Sequence, residues 1–158
     1  QPVDPGEAIS ETREADNAFF LFSGNHGGFS LSKIRSRIVG SPGAQITRKG
    51  VFSNVASVHN VRFVGSSKEN NADSLCELES GAVVFFVGCH FQKPKGASGT
   101  FVDVKAGAKA HFIGCWFGPS GVTGTVINNA AAAGDVGVIG CHNATGIGFA
   151  GITNVFST

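Results

Sequence analysis

A short pattern, two apolar residues followed by glycine, recurs along this chain. The pattern ends at Gly40, Gly65, Gly88, Gly114 and Gly140, which are 25, 23, 26 and 26 residues apart. A repeat of this length is typical of a solenoid, in which each unit buries its apolar face against the next unit. The 158 residues are therefore expected to form one domain of about five such units.

The unit around Gly88 predicts three short strands, and the following unit repeats them. The predicted strands are 74–79, 82–87 and 89–91 in the first of these units, and 100–105, 108–113 and 115–117 in the second. Glycine suits the sharp corner between the second and third strands, because it adopts positive φ without steric cost. Three short strands per unit predict a parallel β-helix.

The N-terminal segment differs from the repeats. It is polar, and Asp4 followed by Pro5 resembles the start of a helix. A short capping helix and a flexible arm are both compatible with this segment, and a first strand is expected at 19–22. The predicted organisation is an N-terminal arm or cap over residues 1–27 and a β-helix domain over residues 28–158.

Bulk properties argue against several partners. The net charge is +1, so no nucleic-acid partner is expected. No apolar run approaches the ~20 residues that span a bilayer, so no membrane partner is expected either. The absence of CxxC or clustered Cys/His spacing predicts no metal, and no cofactor is expected. Cys89, Cys115 and Cys141 each follow a repeat glycine, which favours a ladder of small buried residues.

The segment from Phe86 to Phe91 resembles the turn motif of right-handed parallel β-helix proteins of the pectate-lyase type. In that family an apolar residue precedes an Asn or Gly corner, and another inward apolar residue follows. Residues 113–117 match equally well, and the resemblance covers roughly residues 30–150. It implies an all-β, single-stranded right-handed parallel β-helix. Family members include polysaccharide lyases, glycosidases and the trimeric spikes and fibres of bacteriophages.

One column of the first strands is predicted to face outward and yet is wholly apolar. It consists of Phe52, Leu75, Phe101 and Val126. A contiguous exposed apolar stripe usually marks an interaction site. A loop of the same chain could cover it, but a neighbouring subunit is favoured, so these residues are predicted to form a subunit interface.

Basic residues form a second feature, comprising Lys33, Arg35, Arg37 and Arg62. Arg37 and Arg62 are expected to stack one coil apart, where they repel unless an anion or a neighbour's carboxylates lie between them. A solvated basic edge is one interpretation. Docking to an acidic surface on a partner, or to an acidic glycan, is the other.

Two carboxylates are candidates for catalysis. Glu77 and Asp103 are predicted to share an outward column in adjacent coils, about 5 Å apart, as a retaining glycosidase requires. Repulsion between them could raise the pKa of one carboxyl for general-acid work. Stacked acids that are solvated or held in a polar network are the more ordinary interpretation. Five coils also make a rod only about 25 Å long, with short loops and little room for a substrate cleft.

A third outward column contains His90, Trp116 and His142 in successive coils. Aromatic side chains can stack on sugars, so this column is a candidate glycan-binding surface. A packed surface or subunit contact is the alternative.

These patterns favour a non-enzymatic structural protein of a virion, either a capsid decoration or a component of a tail spike or fibre. We expect a rigid homotrimer at the extracellular virion surface, in contact with other virion proteins and with cell-surface polysaccharide as a further candidate partner. A polysaccharide lyase or glycosidase that uses Glu77 and Asp103 is the first alternative. A free-standing carbohydrate-binding module is the second.

Overall fold

The computed structural model describes residues 17–31, 35–65, 73–131, 135–149, 152 and 154–156. These residues form 18 short strands in three sheets and contain no helix. The predicted arm or capping helix at the N-terminus lies outside the described residues, except for its last part from Asn17 onward.

The strands of each sheet are parallel and follow one another in sequence order. Sheet A contains β1 (Asn17–Leu21), β4 (Ser36–Gly40), β7 (Val55–His59), β10 (Val83–Val87), β13 (Lys109–Ile113), β16 (Val136–Ile139) and β18 (Asn154–Phe156). Sheet B contains β2 (Gly24–His26), β5 (Ala44–Ile46), β8 (Arg62–Val64), β11 (His90–Gln92), β14 (Trp116–Gly118) and β17 (His142–Asn143). Sheet C contains β3 (Phe29–Leu31), β6 (Gly50–Phe52), β9 (Cys76–Leu78), β12 (Val102–Val104) and β15 (Ile127–Asn129). Every third strand returns to the same sheet as far as β17, and β18 then follows β16 in sheet A.

This arrangement is consistent with a parallel β-helix, as the repeat predicts. One passage through sheets A, B and C is called a coil below. The stacking begins earlier than predicted, because β1 and β2 pair in register with β4 and β5. Both strands precede residue 28, where the sequence placed the start of the β-helix.

The corner between sheets A and B explains most of the recurring glycines. Gly88, Gly114 and Gly140 adopt φ values of 61°, 60° and 61° there. The equivalent residue one coil earlier is Asn60, with φ 56°, and not Gly65. Asparagine is among the few residues other than glycine that tolerate this conformation.

Gly65 instead follows β8, at the far end of sheet B. Aligning the coils on Gly65 therefore shifts the register of the neighbouring segments. One consequence is that Phe52 pairs with Leu78, and not with Leu75 as the glycine alignment implies.

The core is a set of like-on-like ladders that run through the coils. Phe86 stacks on Phe112 with ring centroids 5.0 Å apart, and Phe91 stacks on Phe117 at the same separation. Aromatic stacking of this kind stabilises the core beyond the burial of apolar area. The side chains are close-packed, so the solenoid is a rigid support for what its outer faces carry.

The predicted cysteine ladder is confirmed. Cys89, Cys115 and Cys141 are all buried. Each thiol donates to the carbonyl of an inward residue in the preceding coil, and the first bond, from Cys89 Sγ to Val58 O, is 3.3 Å long. The hydrogen bond with Cys141 lowers the pKa of Cys115, but the hydrogen bond with Cys89 and burial outweigh it and raise that pKa to about 12, so Cys115 stays a neutral thiol.

Candidate interaction surfaces

The apolar column predicted at the surface lies in the core. Phe52, Phe101 and Val126 are fully buried, and Leu75 is only 6% exposed. The prediction that these side chains face outward is wrong, and they present no surface to a neighbouring subunit.

The cause is a corner at the entry to sheet C. Leu75 and Cys76 are consecutive and both buried, and so are Phe101 and Val102. The chain bends at Leu75, Phe101 and Val126, so that two successive side chains point inward there. Phe52 instead lies within β6 and pairs with the inward residue Leu78. Alternation of faces holds within a strand and fails across a bend.

A different apolar column is exposed on sheet A. Register places Phe20, Val39, His59, Val87, Ile113 and Ile139 side by side on its outer face. We call this set the sheet A column. Three of its apolar members are largely solvent-exposed, namely Phe20 at 58%, Ile113 at 40% and Ile139 at 54%.

The sheet A column lies directly beside the corner between sheets A and B, and other exposed apolar side chains flank it. Phe22 packs edge-on against Phe20, with ring centroids 5.5 Å apart. Phe85 belongs to the neighbouring outward column and stacks on His111 at 4.8 Å. This surface was not predicted from the sequence, because the alignment on Gly65 led to a different outward column.

The arginines predicted to stack do not meet. Arg37 lies on sheet A and pairs with Ser57, whereas Arg62 lies on sheet B and pairs with His90. Lys33 lies outside the described residues. Arg35 and Arg37 do share an open groove of about 400 Å³, which Phe85 also lines.

Sheet C brings the two predicted catalytic carboxylates together and pairs each with a lysine. Glu77 and Asp103 are direct neighbours on adjacent strands. Lys49 Nζ lies 3.1 Å from Glu77 Oε2, and Lys105 Nζ lies 2.6 Å from Asp103 Oδ2. The other oxygen of Asp103 accepts a 2.8 Å hydrogen bond from Asn128 Nδ2.

The hydrogen bond from Lys49 lowers the pKa of Glu77 below its ordinary value. The hydrogen bond with Glu77 raises the pKa of the neighbouring Glu79, which is partly exposed. A general acid needs a raised pKa and a sheltered position. Neither Glu77 nor Glu79 combines the two, so this face resembles a solvated ion-pair network.

Sheet B carries the histidine–tryptophan column, and the structure extends it. The outward positions read Asn25, Gln45, Arg62, His90, Trp116 and His142 in consecutive strands. We call this set the sheet B column. Gln45 Nε2 donates to Asn25 Oδ1 over 3.0 Å, and the rings of His90 and Trp116 lie 5.7 Å apart. Sequence reasoning placed Arg62 on a different face and missed Asn25 and Gln45.

The Trp116 indole extends along its own strand and over Gly118. A Cβ added to Gly118, two residues further on, would lie 2.4 Å from the Cη2 atom of the indole. The ring therefore occupies the space that a side chain at position 118 would fill. Glycine at this position therefore lets the indole lie against the strand.

Burial, with a further contribution from the positive charge of Arg62, lowers the pKa of His90. His90 is thus neutral near pH 7 and can both donate and accept hydrogen bonds. Between Arg62 and His90 the surface forms a hollow of about 280 Å³, which Asn60 and Gly88 also line.

Among the described residues, no group of three or more His, Cys, Asp or Glu side chains is placed to hold a metal ion. No helix in the same part of the chain is long and apolar enough to cross a membrane.

The chain matches no protein-family model, no curated protein and no solved structure.

Proposed function

We propose that this chain is a non-enzymatic structural protein that assembles side by side into a rigid homotrimer through sheet A. The observation that carries the proposal is the exposed sheet A column. Its apolar residues continue across strands that stack about 4.8 Å apart, without an unpaired charge among them. Exposed apolar patches of this kind mark association surfaces.

The area of the face supports association with a second copy. Seven strands of about five residues cover a face of roughly 500 Å² at ordinary strand spacing. Two copies that meet along the sheet A column and extend over the rest of this face would together remove up to about 1,000 Å² from solvent, which is near the lower limit for a specific interface.

The position of the sheet A column supports three copies. The column is one residue wide and lies beside a corner, so it forms a narrow ridge. Three narrow ridges can converge on one threefold axis, whereas a face-to-face dimer favours a broad apolar face. In cyclic symmetry each copy makes the same contacts with its neighbours.

The handedness of the helix and the role in a virion are inferred from the resemblance to right-handed parallel β-helix proteins. We propose a right-handed helix of about five complete coils, as in bacteriophage spikes, fibres and decoration modules. In that setting the protein stiffens a virion surface and contacts other virion proteins. The close-packed phenylalanine ladders suit such a rigid element.

Light scattering on purified protein tests the assembly. We expect a mass of three chains for the wild type and of one chain for Ile113→Asp, which places a charge in the sheet A column. Thr125→Asp adds the same charge at an exposed position near sheet C and should remain trimeric. A stable wild-type monomer at micromolar concentrations would contradict the proposal.

A further inference from the structure

We propose that the sheet B column is a binding site for an acidic saccharide. Trp116 stacks on a sugar ring, Arg62 pairs with a carboxylate of the saccharide, and the neutral polar side chains hydrogen-bond hydroxyl groups. This site is on a different face from the sheet A column, so it does not depend on the assembly proposed above.

The first support is the orientation of Trp116. An indole that stands away from a sheet can rotate, whereas this one is laid over Gly118. A flat aromatic ring held in place loses little conformational entropy when a ligand stacks on it. The apolar face of a sugar ring is a suitable partner for such a platform.

The second support is the exposure and the charge of Arg62. The side chain is exposed and makes no ion pair within the part of the chain that the structure describes. It borders the 280 Å³ hollow together with His90 and Asn60, a volume at the lower end of small-molecule sites. A guanidinium can bind a carboxylate through two parallel hydrogen bonds.

The third support is the separation of charges between faces. Glu77, Glu79 and Asp103 lie on or next to sheet C strands, where lysines accompany them. Asp135 lies beside sheet A and pairs with Lys109 at 3.6 Å. Within the described ranges, no carboxylate side chain belongs to a sheet B strand, so an anionic ligand meets Arg62 without local repulsion.

The spacing of the sheet B column fits an extended ligand. Arg62, His90, Trp116 and His142 lie on four successive strands, a span of about 14 Å at the usual strand spacing. Asn25 and Gln45 continue the column beyond Arg62 with amide groups. An oligosaccharide can thus contact the platform and the arginine at the same time.

A single-stranded nucleic acid would also stack on tryptophan, but the charges disfavour it. Binding to a phosphate backbone relies on several Lys or Arg contacts along the strand. The sheet B column contains one arginine, and the chain has a net charge of only +1. One cation beside neutral donors and acceptors suits a ligand with isolated carboxylates.

The test uses the intrinsic fluorescence of the protein. Trp116 is the only tryptophan, so a change in its emission reports directly on this site. The wild type is titrated with a panel of uronic-acid and sialic-acid oligosaccharides, and with the same sugars after reduction of their carboxyl groups. We expect saturable changes with at least one acidic sugar and weaker binding of its reduced form.

Three variants assign the contacts. Because a charge-assisted hydrogen bond is lost, Arg62→Gln should weaken binding of the acidic sugar about fivefold or more and leave the reduced sugar unaffected. Trp116→Ala should weaken both by about tenfold, measured by calorimetry. Gly118→Ala should have a similar effect, because its Cβ displaces the indole without removing it. Thermal melting confirms that each variant is folded.

Two controls complete the design. Arg37→Gln removes an exposed arginine from sheet A and should bind like the wild type. Ile113→Asp should also bind normally, which separates this proposal from the assembly. The proposal is wrong if no acidic sugar alters the fluorescence at millimolar concentration, if Arg37→Gln and Arg62→Gln weaken binding equally, or if a thymidine oligonucleotide binds more tightly than every sugar.

Discussion

The outer faces of sheets A and C are supported by the same ladders and yet differ in chemistry. On sheet A the column from Phe20 to Ile139 is apolar apart from His59, and Phe20, Ile113 and Ile139 are exposed. On sheet C the equivalent outward positions hold Glu77 and Asp103, each neutralised by a lysine within 3.1 Å. Exposure of the apolar face of sheet A to water is unfavourable, so covering this face stabilises the protein. The charged groups of sheet C are already paired and solvated, so covering them brings little gain.

This difference shows what a parallel β-helix leaves open. Inward positions must stack like on like, so the core is similar in every coil. Outward positions are free, and each column extends along the whole molecule. One chain can therefore present an apolar ridge, an ion-paired face and a polar aromatic column on three sides of one support.

The largest effect is expected from a residue that the sequence placed outside and the structure places inside. Phe101→Ala should lower the free energy of unfolding by about 3–5 kcal/mol, because it leaves a cavity in a fully packed core. Urea unfolding measures the change. The exposed neighbour Thr125→Ala should change stability by less than about 0.5 kcal/mol. Equal small effects for both variants would show that Phe101 is not a core residue.

Substitution on the sheet A face should separate assembly from folding. Ile139→Asp is expected to dissociate the trimer, because a charge at this position cannot be covered without a cost in desolvation. The free energy of unfolding of the variant monomer should lie within about 1 kcal/mol of that of a wild-type monomer, because Ile139 faces solvent in the single chain. Sedimentation and urea unfolding of the same samples distinguish the two effects. A variant that remains trimeric would place the interface elsewhere.

The assembly should also depend on pH through His59, the one titratable member of the sheet A column. Burial lowers the pKa of His59, and the nearby Arg37 adds to this effect. A lowered pKa means that the folded chain favours the neutral form, so stability is intact above about pH 6.5 and declines as pH falls through the lowered value. Covering the column desolvates His59 further, so acid should favour the monomer.

Light scattering at pH 7.5 and pH 5 measures this shift. His59→Gln stays neutral at both values and should remove most of the pH dependence. If His59→Gln dissociates in acid as readily as the wild type, another group is responsible.

The smallest effect is expected on sheet C. Asp103→Asn removes the ion pair with Lys105, whose side chain is 43% exposed. Pairs of this kind contribute less than about 1 kcal/mol, and salt screens them. Thermal melting should show a small decrease that fades at high salt. Cleavage of a polysaccharide by the wild type, lost in Asp103→Asn and Glu77→Gln, would instead support the enzymatic alternative.

Much of the fold could be predicted from the sequence, because glycine marks corners where few other residues fit. The units around Gly88 and Gly114 gave strands that agree with β9 to β14. Prediction failed where a corner used a different residue. Asn60 takes the positive φ in its coil, and Gly65 drew the alignment to the wrong place. In the segment from His59 to Phe63, Asn60 stands at the position that glycine takes in the later coils, and this is the sequence signal for the correct register.

The exposed surfaces were harder to predict than the core. Leu75 and Phe101 lie at bends, where alternation of faces does not apply, so their burial is visible only in three dimensions. The sheet B column was partly predicted, since His90, Trp116 and His142 follow corner glycines. Arg62 was not predicted to belong to this column, because its place beside His90 depends on Asn60 being the corner residue of its coil.

The most direct test of the central claim is the accessibility of position 113 in the assembled protein. The native cysteines are buried, so Ile113→Cys introduces the one readily reactive thiol among the described residues. We expect its labelling by a maleimide reagent to slow strongly as the protein concentration rises and trimers form, whereas a cysteine at position 125 reacts quickly throughout. Rapid labelling of position 113 at every concentration would show that the sheet A column stays in solvent and would contradict the account.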